Sequence, residues 1–311
     1  MTHPNSAEGR PSAENPFKHL RIDDNSVLNT FEDRYSCGVC HKSRKFFCYT
    51  CYTPHPKLQG VIPHVKLPLK IDIIKHKQEI DGKSTAAHAA ILSSEDVRVY
   101  TFPDIPSYDI ENEHVVLIFP SQTALDIPQL FGHETIQSNE CQEEEEKGFH
   151  KGTLLSNLVP RAYKNKSGLQ GNMPVNRAVF IDSTWNQSRS IYKDERIRKL
   201  SCVVLQNRIS QFWRHQKGSP RWYLATIEAI HQFVIEMHIN AFGVHPEYSG
   251  LASCFVDESL QTYSGETYMS REKEAYNGQY DNLLYFFEYM YKLIHTHYDH
   301  EQLYAYKRRM T

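Results

Sequence analysis

The sequence has no apolar run approaching the roughly 20 residues a helix needs to cross a bilayer, and its opening stretch, MTHPNSAEGRPSAENPF, is polar. We therefore expect neither a membrane span nor a secretory signal, and a soluble, intracellular protein. The even cysteine pattern of a disulfide framework is also missing. Of seven cysteines, four crowd into one short stretch, while Cys141, Cys202 and Cys254 stand apart. No internal repeat is visible, and no long basic run marks a localisation signal, YKRRM at 306–310 being too short to serve. At 311 residues the chain is long enough to bury a sizeable core.

Net charge is nearly absent from the whole chain, a formal −2, but not from its parts. Between Asn186 and Trp222 stand nine basic residues (Arg189, Lys193, Arg196, Arg198, Lys199, Arg208, Arg214, Lys217, Arg221) against Asp194 and Glu195. That stretch carries +7, so the rest of the chain carries −9. Such an excess suits a polyanion, or else a solvated face.

Composition assigns residues 1–30 to a disordered leader, 31–60 to the cysteine cluster, 61–300 to the main domain and 301–311 to a tail. VKLPLKIDII, VRVYTF, HVVLIF, AVFI and CVVLQ read as strands, and DGKSTAAHAAIL as a short helix. Ile227, Ile230, Val234 and Met237 form a helical stripe, and DNLLYFFEYMYKLI is a helix apolar almost all round. Two poorly patterned stretches, 132–175 and 244–278, are expected to be disordered insertions. Strands alternating with helices predict an α/β fold with a mainly parallel sheet.

Cys37, Cys40, Cys48 and Cys51 stand in the spacing C-x2-C-x7-C-x2-C. Two such pairs supply the four thiolates that tetrahedral zinc prefers, whereas a thioredoxin-like redox site uses one. A closed four-sulfur site is structural, not catalytic. In its loop Phe46 and Phe47, beside Lys42, Arg44 and Lys45, suit either packing onto the main domain or contact with nucleic acid. Packing is the expectation.

FIDSTWNQS, residues 180–188, leaves an apolar strand and presents Asp182, Ser183, Thr184 and Trp185 in succession. These residues suit a helix N-cap, and equally a ligand site outside the carboxyl end of a strand. Alongside it stand, in order, the cysteine cluster, HKQEIDGKSTAAHAA, LIFPS, DSTW, FWRHQKGSP and LATIEA. Together these resemble the DTW-domain family of aminocarboxypropyltransferases, over roughly 35–130, 176–243 and 277–297. KLPLKIDIIKH, IDSTWNQS and GQYDNLL are closest to its eukaryotic branch.

The resemblance implies a SPOUT-like knotted α/β fold. It also implies transfer of the 3-amino-3-carboxypropyl group of S-adenosylmethionine to N3 of uridine 20 in the tRNA D-loop. Asp182 is then the general base or the group orienting the imide. Trp185 stacks on a base or closes the pocket, unless it is a core Trp; Ser183 and Thr184 cap the helix. Phe119, Pro120, Ser121, Gln206, Arg214, Thr226 and Glu228 are expected at the cofactor, and Arg189, Lys193, Arg208 and Lys217 at the RNA. Ala225 stands where the family usually has Ser, which removes a hydroxyl contact there. His76 and Glu79 are weaker candidates, and His88 is expected to be packed. A monomer and nuclear residence are the further expectations. Two rivals are an RNA methyltransferase on the same fold and a non-catalytic zinc-knuckle RNA-binding protein.

Overall fold

The computed structural model describes residues 15–132, 173–206, 208–216, 219–255, 274–299 and 302–307. One six-stranded sheet is built from β1 (Lys70–Lys75), β2 (Val97–Thr101), β3 (Val115–Ile118), β4 (Leu125–Asp126), β5 (Arg177–Asp182) and β6 (Ser201–Val204). Its order is β2-β1-β5-β3-β6-β4 and every pairing is parallel. Parallel strands are covered on both faces, hence apolar runs such as Val115–Ile118 and 178–181, while β2 at the edge keeps Arg98 and Thr101 exposed. The helices are α1 (Ala86–Leu92), α2 (Ile127–Leu130), α3 (Trp185–Tyr192), α4 (Glu195–Arg198), α5 (Thr226–Phe242) and α6 (Tyr285–His297).

Alternation along the strands divides the core in two. Ile71, Ile73, Val116, Ala178, Phe180 and Val203 join the larger cluster with α1, α5 and α6. Ile74, Leu117, Val179 and Cys202 meet Ile191 of α3 and Ile197 of α4 on the other face. Each buried aliphatic side chain contributes about 1.5–3 kcal/mol. The four residues of the predicted stripe are fully buried in α5, which ends at Gly243 in the left-handed region (φ 78°), its N–H on the Ile239 carbonyl. Among the described residues no helix is long and apolar enough to cross a membrane.

Three expected boundaries move. Phe17, Leu20 and Leu28 of the supposed leader are buried, Phe17 packing edge-on to Phe287 and Tyr291 of α6. In the second supposed insertion, Tyr248, Leu251, Cys254 and Tyr276 are buried. The reason is Asp281, which is fully buried and accepts from the hydroxyls of Tyr248 (2.9 Å) and Tyr276 (2.7 Å) and from Arg21 N–H (2.7 Å). A composition rich in Tyr and Ser reads as loop, yet here the hydroxyls satisfy one inner carboxylate. In the tail, Ala305 is buried and the Tyr306 hydroxyl donates to the Gln211 carbonyl (3.2 Å). Most of the first insertion, 133–172, and the centre of the second, 256–273, lie outside the described residues.

Candidate active site

The cysteine knuckle consists of two matching turns. His41 and Tyr52, each directly after the second cysteine of a pair, take φ of 55° and 57°, and their N–H groups return to the carbonyls of Cys37 (2.9 Å) and Cys48 (2.8 Å). Each turn thereby points two sulfurs inward. The four Sγ atoms lie within 4.8 Å of one another, and those of Cys40 and Cys48 are 3.6 Å apart. Four sulfurs on one zinc stand about 3.8 Å apart, so the set fits that ion. Their acidities agree. Backbone N–H groups of Cys40 and Val39 bring Cys37 down to about 6, while burial and the neighbouring sulfurs push Cys51 up to about 12. Sulfurs this close cannot all be thiolates unless a cation sits among them. Phe46 and Phe47 pack the knuckle on α6, against Tyr289 (5.3 Å) and Phe286 (4.7 Å), and His88 packs edge-on to Phe47, held neutral by burial with a pKa lowered to about 3.

Asp182 ends β5, in register with Lys75 at the end of β1. It is 7% exposed, and both oxygens are held: Ser84 Oγ donates to Oδ2 and Thr226 Oγ1 to Oδ1, each at 2.6 Å. Burial raises its pKa above the ordinary carboxylate value, against the pull of those two hydroxyls and of the Lys75 charge. The result is a fixed carboxylate, part-way toward binding a proton, at the strand ends where α/β proteins hold ligands. Asp182 and Thr226 stand out in the sequence; Lys75 and Ser84 lie in the quoted motifs with nothing local to mark them.

Beside this carboxylate stands an aromatic wall. Trp185, the first residue of α3, is only partly buried, with its ring 4.5 Å from Tyr223 and 6.3 Å from Phe119. Phe119 in turn stacks on Tyr192 at 4.5 Å. Pro120 and Ser121 continue the same turn after β3, and Gln206 follows β6, its N–H tied to buried Glu236 (2.9 Å). Arg214 is exposed and reaches across to the Gly82 carbonyl (3.2 Å). Thr184 occupies the N-cap of α3, its N–H held by Gln187 Oε1 (3.0 Å), as expected, while Ser183 Oγ donates to the Thr184 carbonyl (3.2 Å).

Two of the residues expected at ligands lie inside the protein. Glu228 is fully buried and takes donors from Ala225 N–H (2.8 Å), Ser210 Oγ (2.7 Å) and Gln211 N–H (2.7 Å). It clamps the 208–212 loop to the start of α5 and presents no oxygen to a ligand. Arg208 is 3% exposed, its Nη1 3.0 Å from His231 Nδ1. Because Arg only donates, His231 Nδ1 accepts and its Nε2–H serves Asp281 at 3.1 Å. That buried chain draws Arg208 inward. Arg189 is exposed on α3 and Lys193 directly after it, with Arg198 on α4; Arg196 is tied to Asp194 (2.8 Å) and Lys199 to the Tyr108 carbonyl (2.7 Å). Lys217 lies outside the described residues.

The DTW domain model matches residues 45–295, well over half the chain. tRNA-uridine aminocarboxypropyltransferase 1 of Mus musculus is 38% identical over 308 residues, covering 93% of this chain and 89% of the relative. The Homo sapiens protein of that name is 38% identical over 292 residues, covering 91% and 85%. The Xenopus laevis one is 37% identical over 285 residues, covering 89% and 87%. No solved structure matches. Identity at this level, sustained over most of both chains, settles the family: this chain belongs to the DTW domain family.

Proposed function

We propose that the chain transfers the 3-amino-3-carboxypropyl group of S-adenosylmethionine to N3 of uridine 20 in the D-loop of tRNA. Methylthioadenosine is the other product. The similarity to the named relatives supports the reaction. The observation that carries its placement is the buried Asp182 carboxylate, fixed by two hydroxyls beside the aromatic wall.

Uridine N3–H is a weak acid and must lose its proton as nitrogen attacks carbon. In this reading Asp182 takes that proton, the N3–C bond forms, and the C–S bond breaks with its electrons leaving on sulfur. The sulfonium of the donor supplies the electrophile. Ser84 and Thr226 hold the carboxylate in one orientation; Trp185, with Phe119 and Tyr223 beside it, stacks on the base or the adenine. Arg214 meets the donor carboxylate or an RNA phosphate. Exposed Arg189 and Lys193 position the tRNA through its phosphates. Cys37, Cys40, Cys48 and Cys51 hold a structural zinc that takes no part in the reaction.

We further infer a SPOUT-like, knotted arrangement. It is supported by the late insertion of β5 between β1 and β3, and of β6 between β3 and β4, and by the return of the chain across the strand ends to bring Thr226 onto Asp182. A working monomer is a further reading, tested by the mass of the purified protein in solution. Nuclear residence is a further reading, tested by imaging the tagged protein.

Digestion of tRNA after incubation with the protein and S-adenosylmethionine tests the reaction. The expected product is aminocarboxypropyluridine in the D-loop; methyluridine, or unmodified RNA, overturns it. Removing a donor to Asp182 has a signed consequence. Hydrogen bonds to a charged group are worth about 1.5–3 kcal/mol, roughly one to two pH units. Thr226→Val therefore raises the Asp182 pKa, and the acid limb of kcat/KM moves up by about that much. A limb that stays in place separates Asp182 from the proton transfer.

A further inference from the structure

A polar chain runs from the cysteine knuckle to the strand ends. Arg44 is buried within the knuckle, its Nε donating to Cys48 Sγ (3.4 Å) and its Nη2 to Thr50 Oγ1 (3.0 Å). Thr50 Oγ1 donates to Asp81 Oδ2 (2.7 Å), and the other Asp81 oxygen pairs with the Lys75 ammonium. Lys75 is itself buried and is the register partner of Asp182. Tyr49 adds a lateral brace, its ring 3.8 Å from the Arg44 guanidinium and 3.4 Å from where a Cβ on Gly82 would sit. The 79–84 segment that carries Asp81 also carries Ser84, a donor to Asp182.

We propose that Asp81 is a positioning residue, anchored by Thr50 of the knuckle, that holds the Lys75 ammonium away from Asp182 and leaves that carboxylate able to accept a proton. The zinc-binding knuckle is then a support for the base as well as a packing unit. A lysine beside a buried carboxylate will pair with it unless another anion holds it. Direct pairing would keep Asp182 ionised and make it a poor base. Asp81 prevents this from the far side, and Thr50 keeps Asp81 from following Lys75. The charged and titratable groups around Asp182 are Lys75, Asp81, Glu79 and Tyr52; Ser84 and Thr226 hold its oxygens.

The inference rests on the assignment of Asp182 as the base, and the test separates the two. The Asp182 carboxyl is titrated by 13C NMR in zinc-loaded protein, assigned by its loss in Asp182→Asn, and kcat/KM is followed against pH. The two halves of the ion pair should move the titration in opposite directions. Lys75→Met raises the Asp182 pKa by about one unit; Asp81→Asn lowers it by a similar amount. Thr50→Val lowers it by less, with zinc content unchanged, and Asp81→Glu restores the wild-type value. Shifts of the same sign in Lys75→Met and Asp81→Asn, or an unmoved titration in both, overturn the proposal. If the titrations move as stated but Asp182→Asn stays active, Asp182 is not the base and the relay serves some other purpose at this site, so the inference as stated also falls.

Discussion

Asp182→Asn is expected to lower turnover by about 10²–10⁴-fold and, at neutral pH, to raise the melting temperature. The two effects have one cause. Burial places the carboxyl pKa above its ordinary value of 3.8, so the folded state binds this proton more tightly than the unfolded chain does. The stability that goes with the protonated form is complete below the unfolded value and is lost as pH rises through the folded one. At neutral pH the ionised group is thus a net cost to folding, offset in part by Ser84 and Thr226. Asparagine has nearly the same shape, can still hydrogen-bond both hydroxyls and carries no charge. It gives up the proton acceptor and keeps the fold, the usual direction of a stability–activity trade-off. Turnover and melting measured side by side at pH 7 check both halves. A variant that melts several degrees lower makes Asp182 a structural residue instead.

The knuckle should give the largest loss of stability. Cys48 is fully buried and contacts both Arg44 and the N–H of Cys51 (3.4 Å). Its replacement by Ala leaves three sulfurs for an ion that wants four, in a class of site where metal binding contributes apparent energies of about 10–16 kcal/mol in isolated fingers. Here α6 holds the knuckle as well, through Phe46 and Phe47, so part of the structure should persist without a metal. We expect Cys48→Ala, or chelation of the wild type, to cost at least about 3 kcal/mol, a fall of roughly 5 °C or more in Tm. Protease cleavage should appear first within residues 31–60. Transfer should fall about tenfold or more, because Thr50 supports the strand-end charges. Equal melting with and without chelator would mean that the four sulfurs hold no structural ion.

Much of this architecture is legible in the residues, and the reasons differ by element. A C-x2-C turn can close in few ways around one metal, so spacing alone identifies the knuckle. Five of the strands announce themselves because a parallel strand in a sheet covered on both faces is mostly apolar. β4 does not, since Leu125 and Asp126 are two residues with no period to detect. Strand order is invisible for the same reason that Lys75 and Ser84 were missed: they meet Asp182 from about 100 positions away in the chain, through register and loop closure. Counting charge finds a basic stretch but not which way it faces, and Arg208 lies inside because His231 and Asp281 draw it there. Glu228 was recognised as belonging to the start of α5, yet its partners Ser210 and Gln211 are 17–18 residues upstream. The tyrosines at 248 and 276 were lost to composition, because a hydroxyl that satisfies a buried carboxylate looks the same in sequence as one in water.

Two questions are settled together: which carbon of the donor reaches uridine, and whether Asp182 is needed to take it there. Incubation of unmodified tRNA with S-adenosylmethionine labelled separately on the methyl and on the carboxyl carbon, wild type beside Asp182→Asn, decides both. Carboxyl label should enter tRNA with the wild type, methyl label should not, and the variant should transfer neither at a comparable rate. Methyl label in the tRNA, or carboxyl label transferred equally well without the Asp182 carboxylate, would contradict the proposed mechanism.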